Sequence, residues 1–225
     1  MKQITVLLAE DHMIVREGLR ALLEAEGDMA VVGEAETGRQ AVLLAKRLRP
    51  AVIVMDIAMP LLNGLEATRR IRKAVPTARV LILSAHSDDE YIRQVILWGA
   101  AGYLIKQTSA DLLAKAIREV EKGNTFFSPS IARRVHDLCP PSPNGRATVK
   151  KGKTVLSSRE VEVLQLIAEG KANKQVAREL GISIKTVEKH RQHLMSKLDL
   201  HDTAGLTRYA IAAGIIESRV QMTII

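Results

Sequence analysis

The first half of the chain alternates two patterns. Short apolar runs at Thr5–Ala9, Ala30–Gly33, Ala51–Met55, Arg79–Leu83 and Gly102–Ile105 are too brief for buried helices and suit strands covered on both faces. Between them, apolar positions recur at helical spacing: Val15, Leu19, Leu22 and Leu23 within residues 13–25, then residues 38–48, which Pro50 stops. Three more helices are predicted through Leu65, Thr68 and Ile71, through Tyr91, Val95 and Trp98 behind an Asp88 cap, and through Leu112 to Val120 behind Ser109. Five strands alternating with five helices predict a five-stranded, parallel, doubly wound α/β domain over residues 1–123.

Right-handed crossovers bring all the strand ends to one rim, where α/β sheets collect their chemistry. The first polar groups beyond the strands are Glu10-Asp11, Asp56, Ser84 and Lys106. Three carboxylates at close range need a cation, and an all-oxygen set suits Mg²⁺, which is often shared with phosphate. Asp56 then serves as a carboxylate nucleophile toward a phosphoryl group, with Lys106 offsetting charge on its oxygens and Ser84 donating a hydrogen bond to them.

The second half reads differently. Residues 124–155 read as a linker with a short helix at Ile131–Leu138, followed by the breaking run Pro140–Gly145 and the lysine cluster Lys150–Lys153. From residue 156 to 225 the pattern is wholly helical. Ser157 with Glu160 makes a capping box, a helix ends at Gly170, and a short helix over Asn173–Leu180 meets the turn Gly181-Ile182-Ser183. A longer helix, Ile184–Leu198, has Val187, Leu194, Met195 and Leu198 as its apolar stripe and Lys185, Lys189, Gln192, His193 and Ser196 opposite, with Thr186 and Lys197 on the flank. Helix, glycine turn, helix is the helix-turn-helix pattern, whose second helix enters the major groove. There Lys185 and Lys189 reach guanine edges or phosphates, and Gln192 can bond adenine.

Charge supports the division. The net charge is +8, but residues 1–124 hold 17 Lys/Arg against 16 Asp/Glu, whereas residues 125–225 hold 16 against 9. The C-terminal half alone is suited to a polyanion. Aromatic residues are 3% of the chain, so its core is aliphatic, and the single cysteine, Cys139, fits a reducing cytoplasm. Neither a secretory signal nor a membrane span is expected.

Residues 1–122 resemble the receiver domain of bacterial two-component response regulators, through Glu10-Asp11, Asp56 with Met59-Pro60 and Gly64, Ser84, and Lys106. The resemblance implies a flavodoxin-like fold in which Asp56 takes a phosphoryl group from a sensor histidine kinase. Asp11 and Asp56 then ligate Mg²⁺, Glu10 helps through water, and the backbone carbonyl of Ala58 supplies a further ligand. Ser84 and Lys106 bind the phosphoryl oxygens, and Tyr103 is an aromatic switch that turns inward. Many receivers carry proline with a cis bond after the lysine. Here Gln107 stands instead, and a cis bond before it costs about 2.5–4 kcal/mol, so a trans or strained peptide is expected.

Residues 157–213 resemble the LuxR/NarL-type DNA-binding domain, through Leu156-Ser157, Arg159-Glu160, Val163-Leu164, Ala168-Glu169-Gly170, Asn173-Lys174, Thr186-Val187, His190 and Lys197-Leu198. The resemblance implies a NarL/FixJ-type regulator with its recognition helix near residues 184–198 and a last helix, Thr203–Ala213, for dimer pairing. DNA contacts are expected from Lys185, Thr186, Glu188, Lys189, Gln192, His193 and Lys197. Glu188 departs from the lysine often found there; it reads a cytosine amino group or turns away from phosphate. His190 faces inward as a structural or phosphate-directed group, not a metal ligand. The expectation is a cytoplasmic, non-enzymatic transcription regulator that is a homodimer when phosphorylated and binds double-stranded promoter half-sites. Its rivals are a receiver that only dimerises or senses a ligand, and an adaptor whose C-terminal helices bind protein.

Overall fold

The computed structural model describes residues 3–85, 89–138 and 156–216. The Asp88 cap, the Pro140–Lys153 stretch and residues 217–225 lie outside the described residues. The chain divides into two compact units, Met1–Lys151 and Gly152–Ile225.

In the first unit the strands are β1 (Ile4–Ala9), β2 (Met29–Ala35), β3 (Val52–Met55), β4 (Arg79–Ser84), β5 (Gly102–Ile105) and β6 (Phe126–Phe127). The helices are α1 (Met13–Ala25), α2 (Gly38–Leu48), α3 (Gly64–Ala74), α4 (Asp89–Leu97), α5 (Ala110–Glu121) and α6 (Pro129–Leu138). All strands run parallel in the order β2-β1-β3-β4-β5-β6. The sheet has six strands rather than the expected five. Residues 126–138, read from sequence as linker, are part of this unit: Phe126 pairs with Gly102, Phe127 with Tyr103, and Ile131 is fully buried.

Alternation divides each strand between the two faces of the sheet. Leu7, Ile53, Met55, Val80, Ile82 and Tyr103 pack with residues of α2, α3, α4 and α6, while Val6, Leu8, Val52, Val54, Leu81 and Leu104 pack with α1 and α5. Both faces are covered, which is why the strands read as continuous apolar runs. The order reverses beside β1: β1 lies between β2 and β3, so the switch point is the crevice beyond the ends of β1 and β3.

One local geometry fixes that crevice. A Cβ on Gly64 would fall 1.9 Å from the backbone oxygen of Asp56, so only glycine lets the turn into α3 close over the end of β3. Gly64 N–H donates to Ile57 O at 2.9 Å, and the Asn63 side chain caps α3 by accepting from Glu66 N–H at 2.9 Å.

The second unit contains α7 (Ser158–Ala168), α8 (Asn173–Leu180), α9 (Ile184–Leu198) and α10 (Thr203–Ala212). Val161, Val163, Leu164, Ile167, Leu194, Leu206 and Ala210 form its core. The expected capping box is present: Ser157 Oγ accepts from Glu160 N–H, and Glu160 Oε2 accepts from Ser157 N–H at 2.7 Å. Gly181 closes α8 in the left-handed region at φ +62°, which makes the tight turn into α9.

Candidate functional site

Backbone pairing sets the rim. Ala9 is the register partner of Met55, Met55 of Ile82, and Ser84 of Ile105, so the next residues out converge. Asp56 N–H donates to Ala9 O at 2.8 Å, and Lys106 N–H to Ser84 O at 2.9 Å. Glu10 and Asp56 are then nearly enclosed, at 2% and 3% exposure, and Ser84 is fully buried.

Buried carboxylates require a positive partner, and Lys106 supplies it. Its Nζ stands 2.8 Å from Glu10 Oε2 and 3.0 Å from Asp56 Oδ2. Burial alone pushes the ammonium down, but the facing charges of Asp56 and Glu10 outweigh it and hold Lys106 above the ordinary lysine pKa. The other Asp56 oxygen, Oδ1, accepts from Ile57 N–H at 2.8 Å. The backbone around Lys106 is trans, since the described residues contain no cis peptide, and Gln107 therefore leaves the lysine aimed at the rim.

Asp11 and Ala58 lie on the same rim, both partly buried. Tyr103 is fully buried on the face shared with α4 and α6. Glu10, Asp11 and Asp56, with a lysine already neutralising two of them, form a donor set that fits a hard divalent cation.

Two residues of this site escaped the sequence reading. His12 lies directly after the acidic pair, with Nδ1 2.9 Å from Asp11 Oδ1 and 3.1 Å from Glu10 Oε1; ligand atoms of the three residues lie within 4.8 Å of one another. A histidine adjacent to two carboxylates was the available signal. Arg16 is the second. The spacing of Val15, Leu19, Leu22 and Leu23 placed all four on one apolar face, yet Val15 and Leu22 are exposed and Arg16 is buried beside Leu19 and Leu23. Its guanidinium donates to Glu10 O at 2.7 Å, Glu34 Oε2 at 3.0 Å and Glu36 Oε1 at 2.9 Å, which pins the backbone of the acidic pair.

In the second unit, Val187 and Leu194 anchor α9 in the core. Lys185, Thr186, Glu188, Lys189, Gln192, His193 and Lys197 all lie exposed. Lys185, Lys189, Gln192 and Ser196 recur at spacings of four, three and four and so share one stripe. Two of the expected DNA contacts have internal partners: the Thr186 hydroxyl lies 2.8 Å from Ser183 Oγ, and Lys197 Nζ lies 2.8 Å from Glu160 Oε2 on α7. Arg191 braces the helix, donating to Thr203 Oγ1 at 2.7 Å and Asn173 Oδ1 at 3.4 Å. His190 is partly buried; burial first, then the charge of Arg159, holds it below the ordinary histidine pKa.

A doubly wound parallel sheet with an acidic, lysine-closed rim, followed by a helix-turn-helix unit, defines a signalling protein with a nucleic-acid-binding output. Residues 6–118 match the response regulator receiver domain, and residues 154–210 match the bacterial regulatory proteins of the luxR family. The transcriptional regulatory protein MctR of Rhizobium johnstonii is 38% identical over 214 residues, covering 95% of this chain and 96% of that protein. LiaR of Bacillus subtilis, also a transcriptional regulatory protein, is 40% identical over 207 residues, covering 92% and 96%. Among solved structures, the complex of the two-component response regulator RcsB with DNA matches with a TM-score of 0.56 at 27% identity, over 92% of this chain and 98% of that one. The chain belongs to the two-component response regulators that carry a LuxR-type DNA-binding domain. Among the described residues, no helix is long and apolar enough to cross a membrane.

Proposed function

We propose that Asp56 accepts a phosphoryl group from the phosphohistidine of a sensor histidine kinase, and that the phosphorylated protein pairs with a second copy on promoter DNA to regulate transcription. The observation that carries this reading is the Lys106 ammonium held between Glu10 and Asp56 at the switch-point rim. In the transfer, an Asp56 carboxylate oxygen forms the new P–O bond, the P–N bond breaks, and its electron pair stays on the departing imidazole. Lys106 moves its charge from the carboxylate to the phosphoryl oxygens, and the Ser84 hydroxyl donates to one of them. Asp11, Asp56 and the Ala58 carbonyl, with Glu10 in support, would hold Mg²⁺, which when bound would supply charge neutralisation for the incoming phosphoryl oxygens. Tyr103 carries the change inward from Ser84 to the face covered by α4 and α6.

The output rests on α9. Its exposed stripe of Lys185, Lys189 and Gln192 enters the major groove, with Thr186, Glu188, His193 and Lys197 along its borders. The DNA complex of the related RcsB supports this assignment. Pairing through α10 presents two such helices to half-sites about one helical turn apart. The protein works in the cytoplasm, where its kinase and promoters are.

The test is chemical. After incubation with acetyl phosphate, borohydride reduction converts a phosphoaspartate to homoserine, and peptide mass spectrometry then locates it. Homoserine at position 56 in wild type, and none in Asp56→Asn, is the expected result. Reduction at another carboxylate, or none in wild type, contradicts the assignment.

A further inference from the structure

Charge in the first unit is segregated along the chain. Residues 38–79, which carry α2, β3 and α3, hold nine Lys/Arg against two Asp/Glu, while the rest of residues 1–124 holds eight against fourteen. The two carboxylates of that segment are Asp56 and Glu66, both buried, at 3% and 1% exposure. The charge it shows to solvent is therefore all positive.

The topology gathers these cations at one end. α2 and α3 pack on the same face of the sheet and lead back to the starts of β3 and β4, which lie side by side with Val52 opposite Arg79. Lys46, Arg47 and Arg49 at the close of α2, Arg72 and Lys73 at the close of α3, and Arg79 at the start of β4 thus share the end of the unit opposite the Asp56 rim. Lys46, Arg47, Arg49 and Lys73 are exposed.

The elements on the other face differ. There Arg118 of α5 pairs with Glu26 and Asp28, Lys122 with Glu119, and Arg20 of α1 with Glu34, while the last turn of α1 holds no cation. A helix dipole favours cations at its C-terminus, which accounts for Lys46, Arg47, Arg72 and Lys73 one by one. It does not account for Arg79 on its strand, nor for the lack of any exposed acid across residues 38–79. Arg49 closes α2 in the left-handed region at φ +47°, a position that ordinarily favours glycine.

We propose that this basic end is a second DNA-contacting surface, which takes the phosphate backbone of duplex DNA without reading its bases. Such a surface needs clustered cations with no exposed carboxylate among them: each phosphate neutralised releases counterions, and each acid repels the duplex. DNA is the polyanion that the LuxR-type unit of the same chain brings to the protein. The inference goes beyond the reading of α9, because it gives the first unit a share of the affinity that carries no sequence information.

Affinity of the full-length protein for a random-sequence duplex, measured by fluorescence anisotropy across a salt series, tests it. Lys46→Gln/Arg47→Gln/Lys73→Gln removes three cations from the basic end. Arg20→Gln/Lys115→Gln/Lys122→Gln removes the same charge from α1, α5 and the α5 cap as a control. Lys185→Gln/Lys189→Gln weakens α9. The basic-end variant is expected to show a logarithmic salt slope shallower by about 2–3 and affinity about tenfold weaker at about 100 mM salt, with the control within about twofold of wild type. The α9 variant keeps residual salt-sensitive binding, which is lost when the basic-end substitutions are added. Equal losses in the basic-end variant and the control overturn the inference, since net charge alone then explains both. An unchanged slope in the basic-end variant also overturns it and assigns the surface to an acidic protein partner or to solvation. Wild-type binding in Lys185→Gln/Lys189→Gln contradicts the α9 reading and leaves this inference to the basic-end variant. All substituted side chains are exposed, and urea melts establish that each variant is folded.

Discussion

Lys106 is the residue on which the rim depends. Its ammonium stands between two carboxylates that have almost no access to water, so Lys106→Met leaves two like charges buried without the cation between them. The variant is expected to lose about 3–5 kcal/mol in urea melts at neutral pH, with part of the loss restored by added Mg²⁺. A change below about 0.5 kcal/mol shows that the ammonium is not needed to hold the two acids together. Glu10, Asp56, Ser84 and Lys106 were legible because each is the first polar residue after an apolar strand. Arg16 was not legible. Its burial depends on Glu34, Glu36 and the Glu10 carbonyl, which come together only when β1 and β2 pair, and helical spacing counts a charged residue on the inner face as an interruption. His12 was passed over for a similar reason: its chemistry lies in the direction of the ring, which sequence does not contain.

At the scale of the element, the turn between β3 and α3 is the least tolerant. A methyl group at position 64 meets the Asp56 carbonyl at 1.9 Å, backbone against backbone, so nothing flexible can give way. Gly64→Ala is expected to cost about 3 kcal/mol and to displace Asp56, measured by urea melts together with phosphorylation rate. The sign of the pH response in the second unit follows from His190, whose folded form takes up its proton below the ordinary value of 6.5. Above that value both the folded and unfolded forms are neutral and the contribution is whole. As pH falls through it, the unfolded chain binds the proton first and stability declines. Denaturation of the full chain, read from resonances of α7 and α9, is expected to show this decline between about pH 7 and about pH 5 and to lose it in His190→Gln.

Elements of ordinary length were legible from periodicity: α2 and α9 have the boundaries that the sequence suggested, and α5 carries the expected Ser109 cap. The exception, β6, is two residues long, too short for any alternation to register. It exists because Gly102 lets the Phe126 carbonyl approach: a Cβ on Gly102 would lie 2.4 Å from that oxygen. The missed strand also explains why the segment before α6 read as linker, although Ile131 and Ser128 are buried in the first unit.

For the whole molecule, charge separates DNA binding from protein binding. The +7 balance of the C-terminal half predicts an output governed by counterion release. Two recognition helices making about three phosphate contacts each are expected to lose about 10³-fold in affinity between about 50 and about 200 mM salt, measured by fluorescence anisotropy on promoter fragments. A shallow slope favours the adaptor reading instead. Asp56 is the proposed point at which a signal enters the protein. Size by light scattering and affinity for promoter DNA, with and without acetyl phosphate and Mg²⁺, on wild type and Asp56→Asn, therefore test the central claim most directly. A shift to dimer with tighter DNA binding in wild type alone is the predicted result. Salt-sensitive binding that is the same in all four samples contradicts it and reduces the first unit to a module without a phosphoryl switch.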